Sequence, residues 1–344
     1  MIGNNRAVIA AAGSRKTQLV IESALSVENG DVLITTYTNE NRRQIIQRIE
    51  QAVGSVPSNI TILGWFSFLI AHGVKPYQRT LTGEPLYVRG LNFKGRRSRY
   101  TSKSNIGKYY FDPNRDLLRD GVSDFVVSLQ ERTGGSVIRR LERIFSHIFI
   151  DEAQDLVGYD LDLLNLLFSS RINVLLVGDP RQAILETNLS QRNQKYQGIG
   201  LNDWFAARTD ICEVETVEES FRCNQAICDF GDAIFPELPR TKSRETSQTN
   251  HDGIFLISRE DVHSYLEKHA DVTILRRTKK SDTMGFPALN IGVAKGSTFD
   301  RVMIFPTRNM REYLEHGDPS KLNEPQRLYV AATRARFSVA FVVD

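Results

Sequence analysis

Short apolar runs alternating with helically spaced apolar residues constrain this chain more than any other feature. Ala7-Val8-Ile9-Ala10-Ala11 enters a small-residue loop, and a helical pattern follows through Leu19, Val20, Ala24 and Leu25. Two further runs, Val32–Tyr37 and Ile60–Leu63, flank Ile45, Ile46 and Ile49 at helical spacing. Strands that alternate with helices imply crossover connections, which predict α/β architecture: parallel sheets covered by helices on both faces. The rhythm breaks over 74–120, a stretch rich in Gly, Pro, Ser, Arg and Tyr, and 89–108 carries seven positive residues and no acid. That stretch reads as an excursion from the sheet. Alternation resumes with helical patterns at 122–132 and 135–145, then the runs Ile148-Phe149-Ile150 and Val174–Val177. A second set follows, with strands expected at 212–217, 253–258, 272–276, 289–293, 301–306 and 337–343, and a polar loop at 240–252. Two domains are expected, 1–205 with a basic insertion at about 75–120, and 206–344.

Composition removes other classes. With 344 residues, 41% of them hydrophobic, the chain can bury a large core, and its Gly and Pro contents exclude collagen and disorder. The balance of 44 Lys+Arg against 41 Asp+Glu is too even to imply a polyanionic partner, so such a partner must be read from charge distribution. Cys212, Cys223 and Cys228 fit neither a disulfide framework nor a zinc spacing, which points to a reducing compartment. Met1–Arg6 lacks a signal-peptide layout, and the uncharged stretch 51–74 contains Pro57, Asn59 and several serines, too polar to span a bilayer. A cytoplasmic chain with no membrane partner is expected.

Two segments carry chemistry. The first, A-A-A-G-S-R-K-T at 10–17, lies at a strand-to-helix junction, where backbone N–H groups and the helix dipole favour an anion. Ala12, Gly13, Ser14, Arg15, Lys16 and Thr17 would cradle a nucleotide. Lys16 would neutralise the β/γ-phosphates, and the Thr17 hydroxyl would hold Mg²⁺. Ala10 and Arg15 stand where the usual pattern has glycine, so a small-residue turn with a surface lysine explains the segment alone equally well. The second, I-F-I-D-E-A-Q-D at 148–155, brings Asp151 and Glu152 to the carboxyl end of a strand, where ligands bind in parallel sheets. Asp151 would hold Mg²⁺, and Glu152 would orient and deprotonate an attacking water.

The order of motifs resembles the UvrD/Rep/PcrA group of superfamily 1 helicases nearly end to end. Motif I is 10–17, and motif Ia is Thr35-Thr36-Tyr37-Thr38-Asn39. Gly64-Trp65-Phe66-Ser67 resembles motif Ib, and Asp151-Glu152-Ala153-Gln154 motif II. Val177–Gln182 resembles motif III, Glu219–Arg222 motif IV, Ala294–Phe299 motif V and Leu328–Arg336 motif VI. The resemblance implies two RecA-like lobes with ATP and Mg²⁺ between them and single-stranded DNA or a tailed duplex across their top. It implies a DNA-dependent ATPase that translocates or unwinds, with 3′ to 5′ polarity. By position, Gln182 would sense the γ-phosphate, Arg222 and Arg334 would act as arginine fingers, Phe221 would stack on adenine, and Gly296 would line the nucleotide. A helix-surface salt bridge for Arg334, a charge following a helix cap for Arg222 and core packing for Phe221 are the plainer alternatives.

For DNA, the resemblance implies contacts from Tyr37, Thr38, Asn39, Trp65 and Lys295. Trp65 and Phe66 stand in an apolar run that suits base stacking and core packing equally. The basic excursion (Arg89, Lys94, Arg96, Arg97, Arg99, Lys103, Lys108) interleaves Phe93, Tyr100, Tyr109 and Tyr110, a composition that fits either a nucleic-acid track or a solvated loop. Family helicases are considerably longer, because each lobe carries an inserted helical subdomain. Here the first nine residues hold no adenine-reading Gln, Ala183-Ile184-Leu185-Glu186 lacks the aromatic expected after motif III, and Thr298 stands where an acid usually meets the ribose. These departures support an alternative function: an ATP- or DNA-gated accessory subunit for a partner nuclease. Compact chains of this type resemble the partners of OLD-type nucleases in anti-phage defence. A different P-loop enzyme, such as a kinase, is a third reading.

Overall fold

The structure is a computed structural model that describes residues 3–343 except 97 and 99. Arg97 and Arg99, expected in the basic track, lie outside the described residues. The chain divides into two compact units. One holds the residues up to Ile9, Lys16–Gly178 and Glu186–Glu215; the other holds Ala10–Arg15, Asp179–Leu185 and Thr216 onward. The division therefore falls later than 205/206, and two short segments from the N-terminal half join the second unit. Backbone pairing explains the first of them: Ala11 N–H donates to Val217 O at 3.0 Å, and Phe221 N–H donates to Gly13 O at 2.9 Å.

The strands lying wholly or mostly in the first unit are β1 (Asn5–Ala10), β2 (Val32–Thr36), β3 (Ile60–Gly64), β4 (Leu91–Asn92), β5 (Leu117–Leu118), β6 (His147–Ile150), β7 (Asn173–Gly178) and β8 (Glu213–Val217). Six of them form one sheet in the order β3-β2-β6-β7-β1-β8. The pairs from β3 through β1 are all parallel. Every residue of β2, V-L-I-T-T, is buried, as befits a β-branched strand covered on both faces. The helix Asn39–Val53 buries Ile45 and Ile49 and starts at Thr38, whose hydroxyl accepts from Asn41 N–H. Parallel pairing brings the carboxyl ends of β2 and β6 to one edge: Thr35 pairs with Ile150, and Asp151 N–H continues the ladder onto Thr35 O at 2.9 Å. The excursion does leave this sheet. Its short parallel pair β4–β5 and the helices Arg79–Thr82 and Ile106–Tyr110 give it more order than its composition predicts.

In the second unit, β9 (Glu219–Ser220) pairs with β10 (Lys242–Ser243). Then β11 (Gly253–Ser258), β12 (Val272–Arg276), β13 (Leu289–Asn290), β14 (Phe299–Phe305) and β15 (Ala335–Val343) form a parallel sheet in the order β11-β15-β14-β12-β13. Met303, Phe305, Ala340 and Val342 pack with Val262, Tyr265 and Ile274 beneath it. The strand expected over 289–293 is cut to two residues, because Ile291–Ala294 turns helical at the sheet edge. Cys212, Cys223 and Cys228 are free and buried. No helix among the described residues is long and apolar enough to cross a membrane.

Candidate active site

The first unit joins the helix that begins at Lys16 to the acidic end of β6. The Thr17 hydroxyl donates to Asp151 Oδ2 at 2.8 Å, linking positions 134 residues apart. Glu152 N–H donates to Asp151 Oδ1 at 3.0 Å. Burial pushes the Asp151 carboxyl up to about 6, and the neighbouring Glu152 charge adds to the rise. The Thr17 hydrogen bond and the Lys16 ammonium work in the opposite direction. Glu152 sits in the left-handed region at φ 60°, where a side chain is strained, and its carboxylate accepts a short hydrogen bond from Gln154 Nε2. A hydroxyl and a buried carboxylate side by side are hard oxygen donors, the set that suits Mg²⁺.

The second unit assembles the other expected residues. Gly13 takes φ 79°, and a Cβ there would lie 2.6 Å from both Arg222 Cβ and Ser220 Oγ, so only glycine fits. Arg15 keeps the left-handed backbone (φ 61°) that a glycine would adopt freely, and its guanidinium stacks 4.0 Å from the centroid of the Phe221 ring, which is 36% exposed. Arg222 Nη1 donates to Thr333 O at 3.2 Å. Arg334 is 1% exposed, and its fork donates to Val330 O (3.1 Å), Ser297 O (3.4 Å) and Gln182 Oε1 (2.9 Å). The carboxamide of Gln182 is held in turn by Asp179, whose Oδ2 accepts from Gln182 Nε2 at 2.8 Å. Gly296 adopts φ 90° just beyond the short helix Ile291–Ala294.

Sequence reasoning gave Tyr329 and Asp179 no role, yet both are buried in this network. Tyr329 Oη donates to Asp179 Oδ2 and accepts from Ala12 N–H, each at 3.2 Å. Asp179 also binds Arg181 (3.0 Å), which reaches Asp232 (3.3 Å); the two carboxylates keep that buried guanidinium charged. The available signal was a tyrosine within the apolar helix Pro325–Ala332, since a buried phenol normally finds a partner.

One expected nucleic-acid contact requires correction. Trp65 is 1% exposed, and its Nε1–H donates to Asp160 Oδ1 at 2.8 Å, so its ring faces are spent on the core and cannot stack on a base. Lys295 is 7% exposed. Thr38 is occupied as a helix cap. Tyr37 is half-buried, with its hydroxyl donating to Glu186 O at 3.2 Å, and burial raises its phenol above the ordinary value. Asn39 and Arg96 are exposed.

Residues 96–192 match the family model for the UvrD/REP helicase N-terminal domain, a span that includes Asp151–Gln154 and Gln182. Among solved structures, the chain is similar to the crystal structure of Arterivirus nonstructural protein 10 (helicase), with 17% identity and a TM-score of 0.52 over 98% of this chain and 59% of that one. The complex of the Arterivirus protein with DNA gives 16% identity and a TM-score of 0.51, covering 98% and 61%. This chain thus spans about six-tenths of the length of those helicases, and at such identity the likeness is one of fold. A search of curated proteins returns no match. The resemblance to the UvrD/Rep helicases and the parallel α/β fold expected from it are borne out.

Proposed function

We propose that the chain is a UvrD-like ATP hydrolase that is stimulated by, and moves along, single-stranded DNA. The observation that carries this reading is the hydrogen bond between Thr17 and Asp151, because it couples a phosphate-loop helix to an acidic strand end as triphosphate hydrolysis requires. Thr17 and Asp151 would hold Mg²⁺, which when bound neutralises charge on the phosphate oxygens. Lys16 would bind the β- and γ-phosphates. Glu152 would take the proton of the water that attacks the γ-phosphorus as the bond to the departing ADP oxygen breaks. Gln182 would contact the γ-phosphate, and Arg222 and Arg334 would stabilise the charge that develops on it, a task suited to planar guanidinium groups. Phe221 would carry the base. DNA binding is supported by the exposed, cation-rich excursion, and translocation from 3′ to 5′ by the family resemblance alone.

The test is steady-state ATP hydrolysis by the full chain with and without single-stranded DNA, together with Glu152→Gln. Stimulation by DNA and loss of turnover with retained ATP binding are expected. Hydrolysis indifferent to DNA, or an active Glu152→Gln variant, would overturn the reading.

A further inference from the structure

Single-stranded DNA that passes over a protein without regard to sequence is commonly held by aromatic faces beside cations, because every base offers a π-face. Trp65 is buried, and residues 183–186 contain no aromatic, so the expected stacking residues do not supply such a face. The basic excursion does. Phe93 is 60% exposed, although its backbone is firmly held. It follows β4, and Asn92 Oδ1 accepts from both Lys94 N–H (3.0 Å) and Gly95 N–H (2.7 Å), closing a tight turn. The same side chain donates to Asp112 Oδ2 at 2.8 Å, tying the turn to the segment before β5.

The Phe93 ring is also buttressed from within. It meets Phe66 edge-to-face with centroids 5.7 Å apart, and Phe66 meets Tyr37 edge-to-face at 5.8 Å. This ladder connects the excursion to the carboxyl end of β2. Lys94 and Arg96, both exposed, follow Phe93 within three positions of the chain, and 89–108 contains no acid. A lone exposed apolar side chain needs no explanation. An aromatic fixed on a braced turn, backed by two rings and followed closely in the chain by exposed cations, is complementary to an unpaired base and its phosphates.

We propose that Phe93 is a stacking platform for single-stranded DNA, with Lys94 and Arg96 contacting the adjoining phosphates. The proposal rests on the DNA-binding reading above and supplies the residue that performs it. Its test is fluorescence anisotropy with a labelled oligothymidylate and an abasic strand of equal length, on the full chain. Phe93→Ala should weaken oligothymidylate binding about thirtyfold, the middle of the range for one lost base–aromatic stack, while changing abasic-strand binding less than twofold. Phe93→Trp should restore binding, and its emission should be quenched by the oligothymidylate. Replacing Lys94 and Arg96 together with Ala should weaken both strands alike and flatten the salt dependence. Phe93→Ala binding oligothymidylate within twofold of wild type, or losing equally on both strands, would overturn the platform while leaving the DNA reading intact. Wild-type chain that binds neither strand would overturn both.

Discussion

Asp160 offers the sharpest test of how the first unit is held together. Its carboxylate is fully buried and gathers five donors from four segments. Oδ1 accepts from Trp65 Nε1 at 2.8 Å and, through a short contact, from Ser123 Oγ. Oδ2 accepts from Val157 N–H (3.2 Å), Asn188 Nδ2 (3.3 Å) and, at short range, Thr187 Oγ1. Burial raises the carboxyl above its ordinary value even against these donors. In Asp160→Asn, the amide NH₂ must replace one of the two oxygens. On the Oδ1 side it faces the indole N–H, and on the Oδ2 side a backbone N–H, and neither can accept a hydrogen bond. Either way at least one buried donor is stranded, at about 1–3 kcal/mol. Relief of charge burial offsets part of that, leaving an expected net loss of about 2 kcal/mol. Trp65→Phe removes the indole donor, so Asp160→Asn should cost about 1 kcal/mol less in that background. Urea unfolding of the four proteins, followed by circular dichroism, measures the cycle. Strict additivity, or an Asp160→Asn protein more stable than wild type, would refute this account of the hub.

Asp151 yields a pH prediction. Its carboxyl rises from 3.8 to about 6 in the fold, so the native state holds this proton more tightly than the unfolded state. Stability from this group is present in full below its unfolded value and lost as pH climbs to about 6, by about 3 kcal/mol at most. Asp151→Asn should therefore raise the denaturation midpoint at pH 7.5, with a gain that shrinks between pH 6 and pH 4; a gain independent of pH would contradict it. Arg15→Gly trades a left-handed strain of about 1 kcal/mol against a cation–π contact of about 0.5–1 kcal/mol, so stability should hardly change. The freed Phe221 ring should lower the KM for ATP several-fold in steady-state assays, and a raised KM would count against this role for Arg15. Arg334→Lys keeps the charge but loses the fork that reaches Gln182, Val330 and Ser297 together. Its kcat should fall by at least about a hundredfold with KM little changed, since arginine fingers contribute 10³-fold or more.

Features set by neighbours in the chain were legible from the residues. The small-residue loop at 10–17, the acidic end of β6 and the strand–helix alternation each depend on side chains a few positions apart, where hydrophobic period and turn chemistry decide the outcome. The shortened strand at Leu289–Asn290 shows where that reasoning weakens, because at a sheet edge few partners enforce extension over a helical turn. Trp65 marks a deeper limit. An indole in an apolar run suits a base or a core equally, and only Asp160, 95 residues further along, decides between them. Tyr329 and Ala12 meet across 317 positions, and Arg334 and Gln182 across 152. Order along the chain thus determined the α/β architecture and the candidate chemistry. Tertiary packing alone decided which polar side chains are spent inside the fold and which, like Phe93, stay outside, because burial and hydrogen-bond partners come from residues distant in the chain.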